Sequence, residues 1–344
     1  MKSVSLHPMK WFAFLVFSIL LLSSCQERRE VNFSFYAWRQ DFEVTPQSEA
    51  LLESLDVKKI YVKFADLVWD AERNLVRPEA VVSIQYPKTG YEIVPVVYIR
   101  NEVFGKTSGV QLDTLVLNLY QLIRGLSKSE HVNELQIDCD WTASTKENYF
   151  DFLKKMKVVD SQTVISTTIR LHQIRYKSKT GIPPVDKGVL MYYNMNSVEN
   201  AGEVNTIFDR NTAEAYLDKL HEYPLPLDYA LPVYGWCVQK RNGKVVDLLQ
   251  TQLLKDFTND SLMQLGENNT LVAKRGHFHR GFYFQEGDVL LEERVSPEMC
   301  LNAAHSMASF LETENVHVLF FELNHPNLDT YETNDFEEIR QALR

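Results

Sequence analysis

The ten residues LQIDCDWTAS, Leu135 to Ser144, decide the fold. Within them Gln136, Asp138 and Asp140 alternate with Leu135, Ile137 and Cys139. Successive side chains of a strand point to opposite faces, so the polar set and the apolar set each own one face. The apolar set packs under helices, with Cys139 as a small apolar member. Both carboxylates therefore turn into an interior, with Asp140 nearest the C-terminal rim. Burying two like charges two residues apart is costly, and one of the pair should hold its proton more tightly unless Arg, Lys or Tyr partners meet them. A salt-bridged polar layer, with Arg170 from the next strand, is the competing reading. Paired acids at the end of a barrel strand more often belong to a site.

Seven further strand candidates share the rhythm: Val31–Trp38, Lys59–Phe64, Glu92–Ile99, Thr163–Ile169, Gly188–Asn194, Leu227–Tyr234 and Val316–Leu323, with Glu134–Asp140 the fourth in order. Amphipathic stretches lie between most of them, including Leu112–Leu126, Lys146–Met156, Thr212–Leu220 and Pro297–Leu311, and Asn334–Leu343 closes the chain. Alternating β and α units with mostly apolar strands imply a parallel sheet covered by helices, and eight units imply a closed (β/α)₈ TIM barrel. An open doubly wound sheet is the alternative. GIPPVDKG, Gly181 to Gly188, is a stiff turn that aims the sixth strand. Residues 237–293 break the rhythm with a hairpin signal at Arg241-Asn242-Gly243 and an aromatic strand pair in HFHRGFYFQEGDVLLEE. They are expected to form a β-rich insertion after strand seven, on the face where active-site loops sit.

The first residues are set apart from the barrel. Lys2 and Lys10 precede an apolar run, Trp11 to Leu22, that ends in Leu22-Ser23-Ser24-Cys25. The run is far shorter than the roughly 20 residues of a spanning helix, and small residues flank the cysteine. Residues 1–24 thus read as a lipoprotein signal peptide, with Cys25 lipidated and residues 25–30 forming a tether to a single domain, 31–344. Acyl chains would hold the chain to a bacterial membrane at the cell envelope, with the leaflet open. An ordinary secretory signal or an uncleaved anchor is the alternative. Losing the two lysines takes the formal charge from −10 to −12. An acidic chain without a basic run lacks the electrostatic footprint of a nucleic-acid binder.

Cys139, Cys237 and Cys300 are scattered without C-x-x-C spacing, which argues against a zinc site and allows at most one bridge. His277 and His279 have H-x-H spacing beside Arg280 but no acidic or cysteine partner nearby in sequence, so no metal is expected, and nothing in the chain calls for a cofactor.

Other strand ends carry matching chemistry. Tyr36 and Trp38 end the first strand, Arg170 and His172 follow the fifth, Tyr193 and Asn194 end the sixth, and Tyr234 and Trp236 the seventh. For any one of these aromatics alone, a core position is the better reading. Together with Trp141 they suit a sugar, whose C–H faces stack on rings while its hydroxyls take hydrogen bonds. A glycan is therefore the expected ligand, while protein partners are undetermined.

Ile137-Asp138-Cys139-Asp140-Trp141 resembles part of the fourth-strand motif D-x-x-D-x-D-x-E of the chitinase family of glycoside hydrolases, family eighteen. Met191-x-Tyr193-Asn194 is similar to that family's M-x-Y-[DN], Tyr234-Gly235 to its seventh-strand Y-G, and Tyr36-Ala37-Trp38 to its first-strand aromatic. Val318 to Asn324 looks like its eighth strand, with Phe321 where a Trp is usual. The resemblance implies a substrate-assisted enzyme in which Asp140 orients an acetamido group and the last motif position protonates the leaving oxygen. That position is Thr142, which cannot act as a general acid near neutral pH. Leu135 replaces the first Asp, and the third-strand S-x-G-G is absent from EIVPVVYIRN. The runs DCDWT and LMYYN also resemble an uncharacterised family of bacterial lipoproteins with a glycosidase-like barrel.

Two functions follow. One is a glycoside hydrolase using Asp138 and Asp140 with an acid from another strand, Glu322 first and Asp228 next. The other is a glycan-binding barrel without an acid. If Phe321 points inward, parity turns Glu322 toward the helices, yet an unpaired carboxylate under helices is expensive. Asp228 starts its strand at the bottom of the barrel, which favours a structural role.

Overall fold

A computed structural model describes residues 29–344 except 89, 130 and 312. The signal-peptide and lipidation expectations, Cys25 included, lie outside the described residues. Eight parallel strands close on themselves: β1 (Glu30–Ala37), β2 (Lys59–Asp70), β3 (Glu92–Ile99), β4 (Glu134–Asp138), β5 (Val164–Arg170), β6 (Lys187–Met191), β7 (Leu227–Pro232) and β8 (Asn315–Phe321). Each pairs with the next in the chain, and β1 pairs with both β2 and β8, which shuts the barrel. The outer layer holds α1 (Pro46–Ser54), α2 (Val110–Leu126), α3 (Lys146–Val159), α4 (Leu171–Arg175), α5 (Arg210–Leu217), α6 (Pro297–Ala308) and α7 (Thr333–Leu343). Capping fixes several helix starts. Side-chain oxygens of Thr45, Asp209 and Ser296 accept the amide hydrogens of Ser48, Thr212 and Met299.

One connection departs from the βα rhythm. Between β2 and β3 the chain folds back as Leu75–Glu79, antiparallel to Asp66–Asp70. The segment between, Asp70 to Asn74, carries five polar or small residues whose backbone Asp70 caps through its carboxylate. The expected alternation of β4 is present. Tyr36 Oη on β1 donates to Gln136 Oε1 across the barrel at 2.7 Å, while Leu135, Ile137 and Cys139 are buried in the apolar core.

Below the site the interior is ionic. Lys187 lies 3.1 Å from Glu134 and 2.7 Å from Asp228, and His317 reaches Asp228 at 3.0 Å. Burial raises the Asp228 carboxyl, but His317 and Lys187 outweigh it and hold the group below its ordinary value. Asp228 thus belongs to a paired layer in the lower barrel.

Beyond β7 a five-stranded antiparallel sheet runs in the order Lys244–Leu249, Gly235–Arg241, Val289–Arg294, Leu271–Ala273 and Met263–Leu265. Asn242 and Gly243, both at positive φ, turn its first hairpin, as the Asn-Gly pair predicts. Phe257, Phe284, Leu290 and neighbours give this sheet a core of its own. A small hairpin, His277–His279 with Phe282–Phe284, closes on it, where both histidines meet Asp260 at 2.9 Å. The three described cysteines, Cys139, Cys237 and Cys300, are free and buried.

Candidate active site

The C-terminal ends of the strands open into a cleft of about 1670 Å³. Its aromatic floor centres on Phe321, whose ring lies 5.8 Å from Tyr36, 5.5 Å from Trp38, 5.5 Å from Tyr193 and 5.4 Å from Tyr234, centroid to centroid. Tyr234 in turn packs on Trp236 at 5.6 Å and donates its hydroxyl to Asn194 at 2.6 Å. Trp236 Nε1 donates to Glu293 of the added sheet at 3.1 Å, so that sheet fixes one wall. Such offset and edge-on contacts hold rings in place without stacking partners from solvent.

Two buried carboxyls line this cleft. Asp138 on β4 accepts the Thr168 hydroxyl at 2.6 Å. Burial first, then the neighbouring Asp140 charge, push its pKa up to about 7, against the Thr168 bond and Arg170. Glu322 follows β8, on the opposite side of the barrel from β4. It is 5% exposed and makes no hydrogen bond or ion pair among the described residues. Burial pushes its pKa up to about 7, although Arg39 and Lys63 pull it down. The Phe321–Glu322 peptide is cis, and both side chains line the cleft.

Lys63, Asp66 and Tyr98 also line it, and no sequence pattern singled them out. The β2–β3 register shifts between Lys63 and Ala65, so Lys63 and Asp66, three apart, both reach the cleft, where they pair at 3.1 Å. Lys63 Nζ sits 5.4 Å from the Trp38 ring. His325 is held neutral, its pKa pushed down to about 4 by burial. Its Nδ1 accepts the Asn327 amide at 3.1 Å, which leaves Nε2 to donate to the Gln250 carbonyl at 3.1 Å. The imidazole thereby ties the β8 loop to the added sheet.

Of the expected site residues, Tyr36, Trp38, Asp138, Arg170, Tyr193, Asn194, Tyr234, Trp236 and Glu322 come together around the cleft. Three do not. Trp141 is 1% exposed, stacked on Tyr149 with its indole N–H on the Thr180 carbonyl at 2.9 Å, and belongs to the core. Past the end of β4 its ring packs beneath α3 on Tyr149 and Phe150, which is the reason. Asp140 stands outside the cleft lining, held by both Nε and Nη2 of Arg170. It holds that guanidinium and adds a negative charge beside Asp138. His172 is exposed at the start of α4, beside Arg170 and Asp140 but not in the cleft lining. Thr142 is outside too, bonded to Ser144 and Thr145 at the start of α3. The position where the resemblance expects an acid therefore does not face the site at all.

No protein-family model matches the chain, and no curated protein sequence matches it. Solved structures do. The spore cortex-lytic enzyme SleL of Bacillus cereus superposes with a TM-score of 0.55 at 11% identity, covering 92% of this chain and 75% of that one. Active domain 2 of a thermostable chitinase from Pyrococcus furiosus gives 0.46 at 10% identity, over 91% and 95%. The C-terminal domain of ChiA from Legionella pneumophila gives 0.41 at 10%, over 91% and 97%. The chain shares its closed eight-stranded barrel fold with that cortex-lytic enzyme.

Proposed function

We propose that this barrel is a glycoside hydrolase of the bacterial cell envelope. Glu322 is its proton donor, and Asp138 is the carboxylate that faces the developing charge on the sugar. The observation that carries the proposal is the pair of buried cleft carboxyls on opposite strands, each with a pKa pushed up to about 7, around one aromatic floor. A carboxyl that keeps its proton near neutrality can pass it to a glycosidic oxygen as the bond to the anomeric carbon breaks. The positive charge left on the ring is met by Asp138, whose ionised form the Thr168 hydroxyl and Arg170 favour; water then adds to the anomeric carbon and gives its proton to the Glu322 carboxylate, restoring the acid. Phe321 and Trp38, both partly exposed, supply rings for the sugar faces, and the Tyr234–Asn194 pair supplies polar atoms for hydroxyls. The acid comes from the end of β8, so a threonine at position 142 does not disable the site.

The test is a panel of oligosaccharides and cell-wall polysaccharides, read by calorimetry for binding and by reducing-end release for cleavage. Cleavage that disappears in Glu322→Gln supports the hydrolase. Binding without cleavage of any bound glycan replaces it with a binding barrel, and no binding at all removes both. The envelope location rests on the Lys2 to Cys25 pattern. Cys25→Ala should move the protein out of the membrane fraction.

A further inference from the structure

The charges around the cleft do not balance. Lys63 is paired with Asp66 at 3.1 Å, Arg170 with Asp140 at 2.8 Å, and Arg280 reaches Asp256 at 3.7 Å. That leaves Arg39 as a cleft-lining cation without an ion pair among the described residues. Against it, the loop after β1 brings Asp41 and Glu43, and the loop between β8 and α7 brings Asp329 and Glu332. None of the four has an ion pair among the described residues; Asp329 accepts only a Gln47 amide hydrogen at 3.2 Å. These two loops are neighbours because β1 and β8 pair directly, and Gln47 bonds Asp329 while Asn324 bonds the Glu43 carbonyl, so the four carboxylates lie on the β1–β8 side of the cleft. A second observation points into the same space. Glu322, 5% exposed and unpartnered, opens into the cleft from the end of β8.

We infer that the substrate is a glycan carrying free primary amino groups, bound with its ammonium groups against the wall of Asp41, Glu43, Asp329 and Glu332. This rests on the hydrolase reading and adds the substrate class to it. An unacylated amino sugar brings a cation to a surplus of carboxylates, while its glycosidic oxygen accepts the proton that the buried Glu322 holds. A fully N-acetylated sugar of the same shape brings no charge, and a uronic acid is repelled.

The experiment compares two probes of matched length on the full chain: a β-1,4-linked N-acetylglucosamine oligomer and its completely de-N-acetylated counterpart. Binding is titrated at mildly acidic pH and low salt. The amino oligomer should bind roughly fivefold tighter or more, as one or two partly exposed ion pairs allow, and the advantage should shrink as salt is added. In the variant Asp41→Asn, Glu43→Gln, Asp329→Asn, Glu332→Gln the two probes should come within about twofold of each other. Equal or tighter binding of the acetylated oligomer by the unaltered chain overturns the inference. So does an amino-sugar advantage that survives in the variant. If both probes bind equally and are cut, the hydrolase stands and this substrate class falls; if neither binds, this substrate class falls and the glycan panel decides the hydrolase.

Discussion

Glu322→Gln should make the protein more stable and less active, in a way that depends on pH. A carboxyl whose pKa is higher in the folded than in the unfolded chain binds its proton more tightly when folded. Its burial is harmless below the unfolded value and destabilises progressively as pH rises toward the folded value. For Glu322 the interval runs from 4.5 to about 7. Each unit of pKa is worth about 1.4 kcal/mol, so the ionised group costs the fold about 3 kcal/mol, in order of magnitude, above pH 7. Gln keeps the shape and cannot ionise, so any loss from its amide is the same at every pH. Urea unfolding at pH 4.5 and at pH 8 separates the two contributions. The stability difference, variant minus wild type, should rise by about 3 kcal/mol between these pH values. Asp138 remains in both proteins and cancels. Glycan cleavage, measured on the same samples, should fall at least about 100-fold. A stability difference that is flat with pH would refute the claim that Glu322 is buried without a partner, and with it the reason for assigning it the proton.

Cleavage should follow a bell centred near pH 7, because one carboxyl must hold a proton while the other is ionised and both titrate there; a profile flat from pH 5 to 9 contradicts the pairing. Asp140→Asn removes the nearest charge that raises Asp138 and frees Arg170 to lower it further. The acid limb of the bell should therefore move to lower pH, whereas a merely structural Asp140 would change the rate without moving the profile. Trp141→Phe deletes the N–H that satisfies the Thr180 carbonyl in the core. It should cost about 1–3 kcal/mol of stability and leave glycan affinity of the folded protein unchanged in calorimetry; a large affinity loss would return the indole to the site.

What the sequence made legible follows the hydrogen-bonded ladder and stops where the ladder stops. Inside it, the two-residue alternation assigns Gln136 and Asp138 to the interior and Leu135, Ile137 and Cys139 to the helices, and the cross-barrel bond from Tyr36 to Gln136 agrees. Trp141 lies past that ladder, so the expectation of a stacking residue had no pairing to correct it. β4 ends at Asp138 and β8 at Phe321, so parity says nothing about Asp140 or Glu322. Asp140 turns to Arg170, and Glu322 joins Phe321 in the cleft, although alternation from Phe321 points it outward. Lys63 and Asp66 defeat the pattern differently, since a register shift within β2 gives two residues three apart the same face. A barrel does its chemistry just past the strand ends, where backbone pairing no longer dictates side-chain direction. Burying a carboxyl there without a partner opposes stability, and its persistence in a site built of aromatic rings is the physical reason to look for its function in proton transfer.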